Sequence, residues 1–121
     1  MSTILVVDDD EQLGRSIARV VQREGHQASV SADPARAARD GAAVRPDLVI
    51  VELQPAWVGL IADLRCALET ATGHCVPFVF TVGRREIYRE IARAFGSGDD
   101  WLAKPFDPEE LAVRVEMALR R

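Results

Sequence analysis

Leu48-Val49-Ile50-Val51, closed by Glu52, limits the folds open to this chain more than any other stretch. The run follows Pro46-Asp47, holds three β-branched residues in succession and lacks the polar alternation of a strand with one wet face. Such a strand is buried on both sides, as in the middle of a parallel sheet covered by helices. In those sheets ligands bind beyond the carboxyl ends of the strands. Glu52 therefore puts an acid where a site is expected, although a solvated strand-end glutamate would look the same in isolation.

The flanking sequence supplies four more strands and the helices between them. Ile4-Leu5-Val6-Val7 is a short apolar run ended by Asp8-Asp9-Asp10-Glu11, after which Leu13, Ile17, Val20 and Val21 recur at helical spacing up to Gly25. His26 to Ala32 alternates, with Ala28 and Val30 on one face, as suits a strand nearer a sheet edge. Asp33-Pro34 reads as the cap and first residue of an alanine-rich helix that frays by Gly41. Leu60, Ile61, Leu64 and Leu68 form the face of a third helix ending before Thr72-Gly73.

Val76 to Thr81 is a fourth strand, with Pro77 at its beginning where a ladder donor can be spared. Ile87, Ile91, Ala94 and Phe95 stripe a fourth helix whose outer face carries Arg84, Arg85, Arg89 and Arg93. Asp100 to Ala103 is the fifth strand. The last helix has Asp107 as cap, Pro108 at its first position, Glu110 reaching back as in a capping box, and the face Leu111, Val115, Ala118, Leu119. Strands and helices alternating in this way predict one α/β domain over residues 1–121. It is a five-stranded parallel sheet of flavodoxin-like type, order 2-1-3-4-5, with helices on both faces.

That strand order brings Asp8 and Asp9 against Glu52 at the switch point, with Thr81 and Lys104 on the same rim. Singly, these residues read as a helix-cap cluster, a strand-end hydroxyl and a loop lysine. Together they make a pocket. Crowded carboxylates repel one another unless a cation intervenes, and hard oxygen donors suit Mg²⁺, which binds through one or two carboxylates plus a phosphate. Thr81 and Lys104 would then hold phosphoryl oxygens.

The net charge of −4 gives no reason to expect a nucleic-acid partner. No apolar run approaches the roughly 18 residues of a membrane span, and Met1-Ser2-Thr3 leads straight into a strand, so a cytoplasmic location is expected. Cys66 and Cys75 have no metal-ligand spacing and read as free thiols.

Over essentially its whole length the sequence resembles the receiver domains of two-component response regulators. The resemblance rests on Ile4-Leu5-Val6-Val7-Asp8-Asp9-Asp10, Pro46-Asp47-Leu48-Val49-Ile50-Val51-Glu52-Leu53, Thr81, and Asp99-Asp100-Trp101-Leu102-Ala103-Lys104-Pro105-Phe106. It implies a phosphorelay domain that accepts a phosphoryl group from a histidine kinase onto an aspartate ending strand 3, with Mg²⁺ held by an acidic pair. Asp8 and Asp9 match that pair, Gln54 the residue whose backbone carbonyl is the third metal ligand, Thr81 the switch hydroxyl, Trp101 the switch aromatic and Lys104 the pocket lysine. The Lys104-Pro105 bond is expected to be cis.

Three departures bear on function. The acceptor position holds Glu52, whose carboxylate stands one methylene further out, and a displacement of about 1 Å can cost on the order of 100-fold in a transfer step. The loop Gln54-Pro55-Ala56-Trp57-Val58-Gly59 is one residue short of the family pattern and lacks its acid. Val82 replaces the small residue after the threonine and is expected to narrow the pocket. These changes predict a phosphorylation-degenerate receiver, not an enzyme, with weak or absent Mg²⁺ binding and Glu52 as a fixed-charge mimic. Lys104 is expected to offset most of the cluster's repulsion.

If Glu52 takes a hydrogen bond from Thr81 as well as Lys104, the domain is biased toward an active-like state. If Lys104 alone takes it, the domain is held inactive. Protein partners, a histidine kinase or an output domain, are expected on the face of helix 4, strand 5 and helix 5, with a homodimer also open. Trp57 reads either as a lid over the shortened loop or as a partner anchor. A phosphorylation-competent receiver and a dimerisation module with a relic pocket are the alternatives.

Overall fold

The computed structural model describes residues 1–83 and 99–120. The fourth predicted helix lies outside the described residues. The remaining elements are β1 (Thr3–Val7), α1 (Glu11–Arg23), β2 (Gln27–Ser31), α2 (Pro34–Val44), β3 (Leu48–Glu52), a 3₁₀ turn (Pro55–Trp57), α3 (Val58–Thr72), β4 (Phe78–Val82), β5 (Asp100–Ala103) and a C-terminal helix, α4 (Pro108–Leu119). All strand pairs are parallel, in the order β2-β1-β3-β4-β5.

Leu48 to Val51 is fully buried, as a run without polar alternation requires. Because successive strand residues point to opposite faces, β3 feeds two cores. Val49 and Val51 join Leu5, Val7, Phe78, Phe80 and the α3 residues Ile61, Leu64 and Leu68 on one side. Leu48 and Ile50 join Ile4, Val6, Ile17, Val21, Leu111 and Val115 on the other. Fully burying one such side chain is worth about 1.5–3 kcal/mol, so the two layers far outweigh any single surface contact.

The caps at Asp10, Asp33 and Asp107 form as side-chain acceptors for the amides of Leu13, Arg36 and Glu109. Several local expectations are corrected. α2 does not fray at Gly41 but continues to Val44, closing on Arg45 at φ 51°. Gly41 is buried where α2 crosses α3, and a Cβ there would lie 2.9 Å from Leu68 Cδ2, so glycine serves close packing rather than termination. Leu60 is exposed, and the buried face of α3 is Ile61, Leu64 and Leu68. Glu110 does not close a capping box; its carboxylate lies 3.9 Å from Arg114 one turn on.

Candidate functional site

The register of the sheet assembles the acidic rim. Val7 pairs with Val51, so Asp8 follows β1 level with Glu52, and Glu52 pairs with Thr81 on β4. Asp8, Asp9 and Glu52 present carboxylate oxygens within 4.8 Å of one another. Asp10, not Asp8 or Asp9, caps α1, which leaves the other two carboxylates to the cluster. Asp8 is fixed in place by the Asp10 amide, which donates to its Oδ1 at 2.8 Å.

Two donors lie between the acids. Lys104 Nζ stands 3.3 Å from Asp8 Oδ2 and 3.3 Å from Glu52 Oε1. Gln54 Nε2 donates to Asp9 Oδ2 at 3.2 Å and to Glu52 Oε2 at 3.3 Å. Sequence reasoning assigned Gln54 only a backbone carbonyl and missed its side chain. The available signal was its position two residues past the acid, where a long amide reaches back over the strand end. Lys104 is carried by the cis bond to Pro105, as expected, and by a ladder extension from its amide to the Val82 carbonyl at 2.7 Å.

The electrostatics are uneven. Burial pushes the Glu52 carboxyl above the usual carboxylate range, reinforced by contact with Asp9 and the charge of Asp8. Lys104, placed against both Asp8 and Glu52, opposes this rise without cancelling it. Asp9 moves the other way, held low mainly by Glu52 and then by Gln54. The donor set fits a hard divalent cation such as Mg²⁺, which Asp8, Asp9 and Glu52 would hold and which would supply positive charge for phosphate oxygens.

Thr81 is fully buried and its hydroxyl has no hydrogen-bond partner among the described residues. Glu52 is thus bonded to Lys104 and Gln54 and not to Thr81. Val82 is fully buried with Leu53 and Trp57, on the opposite face of β4 from Thr81, so it lies behind the pocket rather than across its mouth. That corrects the expected narrowing. Trp101 is half-buried against the same core, level with Phe80. Trp57 is buried there too, which settles its reading as packed over the loop instead of exposed for a partner.

No family model matches the chain. The DNA-binding response regulator MtrA of Mycolicibacterium paratuberculosis is 34% identical over 119 residues, covering 98% of this chain and 51% of that protein. The chain therefore spans about half the length of the curated relatives it matches. In fold it matches CheY4 of Vibrio cholerae with a TM-score of 0.82 at 22% identity, over 98% of both chains. It matches the receiver domain of the Francisella response regulator 1452 with a TM-score of 0.78 at 23% identity, over 100% of this chain and 98% of that one. Over 98% of its length the chain is similar to response regulators, and its fold is that of CheY-like receiver domains.

Outside the pocket, the domain carries two ion pairs on either side of β5. Arg65 of α3 lies 2.5 Å from Asp99 Oδ2 and 4.2 Å above the Phe78 ring, while Arg114 of α4 lies 2.7 Å from Asp100 Oδ1. Cys66 and Cys75 are free and exposed. Among the described residues, no helix is long and apolar enough to cross a membrane.

Proposed function

We propose that this receiver domain takes no phosphoryl group and acts as a binding module rather than a catalyst, with Glu52 as a fixed carboxylate at the position matching the family's acceptor aspartate. The observation that carries this is the engagement of both Glu52 oxygens from within the protein, Oε1 by Lys104 and Oε2 by Gln54, each at 3.3 Å. An acceptor must present an oxygen in line with an incoming phosphorus, and each Glu52 oxygen already has a donor of the protein against it. Lys104 brings one positive charge and Gln54 two donor hydrogens to the cluster, and both contacts stand where a cation would bind, which supports weak Mg²⁺ binding. Because Thr81 makes no bond to Glu52, the fixed charge does not draw the hydroxyl inward, which supports an inactive-like arrangement.

The partner in this reading is a protein docking where β5 meets α4, whether a histidine kinase, an output domain or a second copy of the chain. The DNA binding in the name of MtrA belongs to that protein, and the acidic balance here supports no nucleic-acid contact by this domain. The convergence of Asp8, Asp9 and Glu52 within 4.8 Å favours one competing reading, a Mg²⁺-dependent receiver that still reacts. Incubation with Mg²⁺ and acetyl phosphate followed by intact mass separates the two. The expected result is no gain of one phosphate, and a stable adduct mapped to Glu52 overturns the proposal.

A further inference from the structure

The Gln54 side chain does more than cover the pocket. The residue leaves β3 in an extended conformation, φ −135° and ψ 150°, and the 3₁₀ turn begins at once with Pro55. That geometry turns its half-buried carboxamide back over the strand end, where one nitrogen with two hydrogens serves Asp9 and Glu52 together. Lys104 serves Asp8 and Glu52 in the same manner from the far side. Each of the three carboxylates thus has a donor of this chain against it.

From this geometry we infer that the Gln54 carboxamide is an internal competitor for the divalent cation at Asp8, Asp9 and Glu52, so that the residue at position 54 sets how tightly this receiver takes a metal. The inference deepens the function proposed above and rests on its assignment of the acidic cluster, not on the absence of phosphoryl transfer. A cation entering between Asp9 and Glu52 meets donor hydrogens aimed at the oxygens it needs. It binds only after the amide has swung away, and the two hydrogen bonds are lost as it does so. Lys104 cannot be displaced in the same way without leaving the buried Asp8 carboxylate short of its counter-charge. Gln54 is the donor that yields.

The test is a Mg²⁺ titration of the full 121-residue chain followed by NMR, with Gln54→Ala and Gln54→Leu alongside the parent. Leucine keeps the bulk of glutamine and removes the donors, and thermal unfolding confirms that each variant is folded. Three results are expected. The Gln54 side-chain amide signal of the parent moves with the same Mg²⁺ dependence as the backbone amides of Asp9 and Glu52. Gln54→Ala binds Mg²⁺ about 3- to 10-fold more tightly, as loss of competing hydrogen bonds to charged groups implies. Gln54→Leu does the same. Equal or weaker affinity in either variant, a Gln54 amide signal that stays fixed through the titration, or no Mg²⁺ binding by any of the three overturns the inference. A phosphate adduct on Glu52 with the Gln54 effect intact would instead sink the earlier proposal alone.

Discussion

Thr81 is paired with Glu52 across β3 and β4, yet the threonine hydroxyl reaches no acceptor among the described residues. A buried hydroxyl without a partner costs about 1–3 kcal/mol of desolvation. Thr81→Val keeps the β-branched shape and removes that cost, so it is expected to leave stability unchanged or raise it by about 1 kcal/mol in urea unfolding. A loss of more than about 1 kcal/mol would mean that the hydroxyl is bonded in solution.

Glu52→Gln tests the charge of the same pair. The folded carboxyl is raised by burial and by its acidic neighbours, so its contribution to stability is full below about pH 4.3, the unfolded value of a glutamate, and is lost as pH climbs through the folded value. Asp9 is depressed and acts oppositely, its contribution present above the unfolded aspartate value and lost only at the acidic extreme. The variant should therefore exceed the parent in Tm by most near neutral pH, with the gap closing toward pH 4. A gap that widens on acidification would reverse the sign assigned to Glu52.

Gly41→Ala separates two roles of a glycine. Were Gly41 only a helix end, alanine would gain up to about 1 kcal/mol of helix propensity. With Leu68 fully buried 2.9 Å from the new Cβ, overpacking is expected to win, for a net loss of about 1 kcal/mol by chemical denaturation.

Arg65→Met probes the brace between α3 and β5. The Asp99 side chain is 7% exposed, and removing its guanidinium leaves a carboxylate with little water to replace it. The stacking of Arg65 on Phe78 is lost as well. A destabilisation of about 2–4 kcal/mol is expected, near the range of a broken buried pair. Asp99→Asn in the same background should recover part of it, since the unpaired charge is then gone.

What could be read from the sequence was whatever a short window contains. The Leu48 to Val51 run, the caps at Asp33 and Asp107 and the alternation of strand and helix are local patterns, and the strand order then implied that Asp8, Asp9, Glu52, Thr81 and Lys104 would meet. Side-chain direction across elements was not legible. Gln54 turns back onto Asp9 only because the chain enters a 3₁₀ turn there. Gly41 is a packing residue only because α3 crosses above it. Glu110 leaves its cap for Arg114, and Leu60 misses the core by its angular position on α3. Val82 was placed in the pocket by its neighbour in sequence, while the pleat sends the two residues to opposite faces.

At Trp101 the outer edge of the last described strand is capped by side chains. The Trp101 amide is taken by the Asp100 carboxylate at 2.8 Å, and its carbonyl by the Arg114 guanidinium at 3.2 Å, so side chains fill both hydrogen-bonding positions at the centre of β5. An edge whose central main-chain groups are occupied is a poorer template for strand addition, either to an extended peptide or to the edge of another molecule. Asp100 and Arg114 thereby hinder edge-to-edge pairing of the sheet at the Trp101 position.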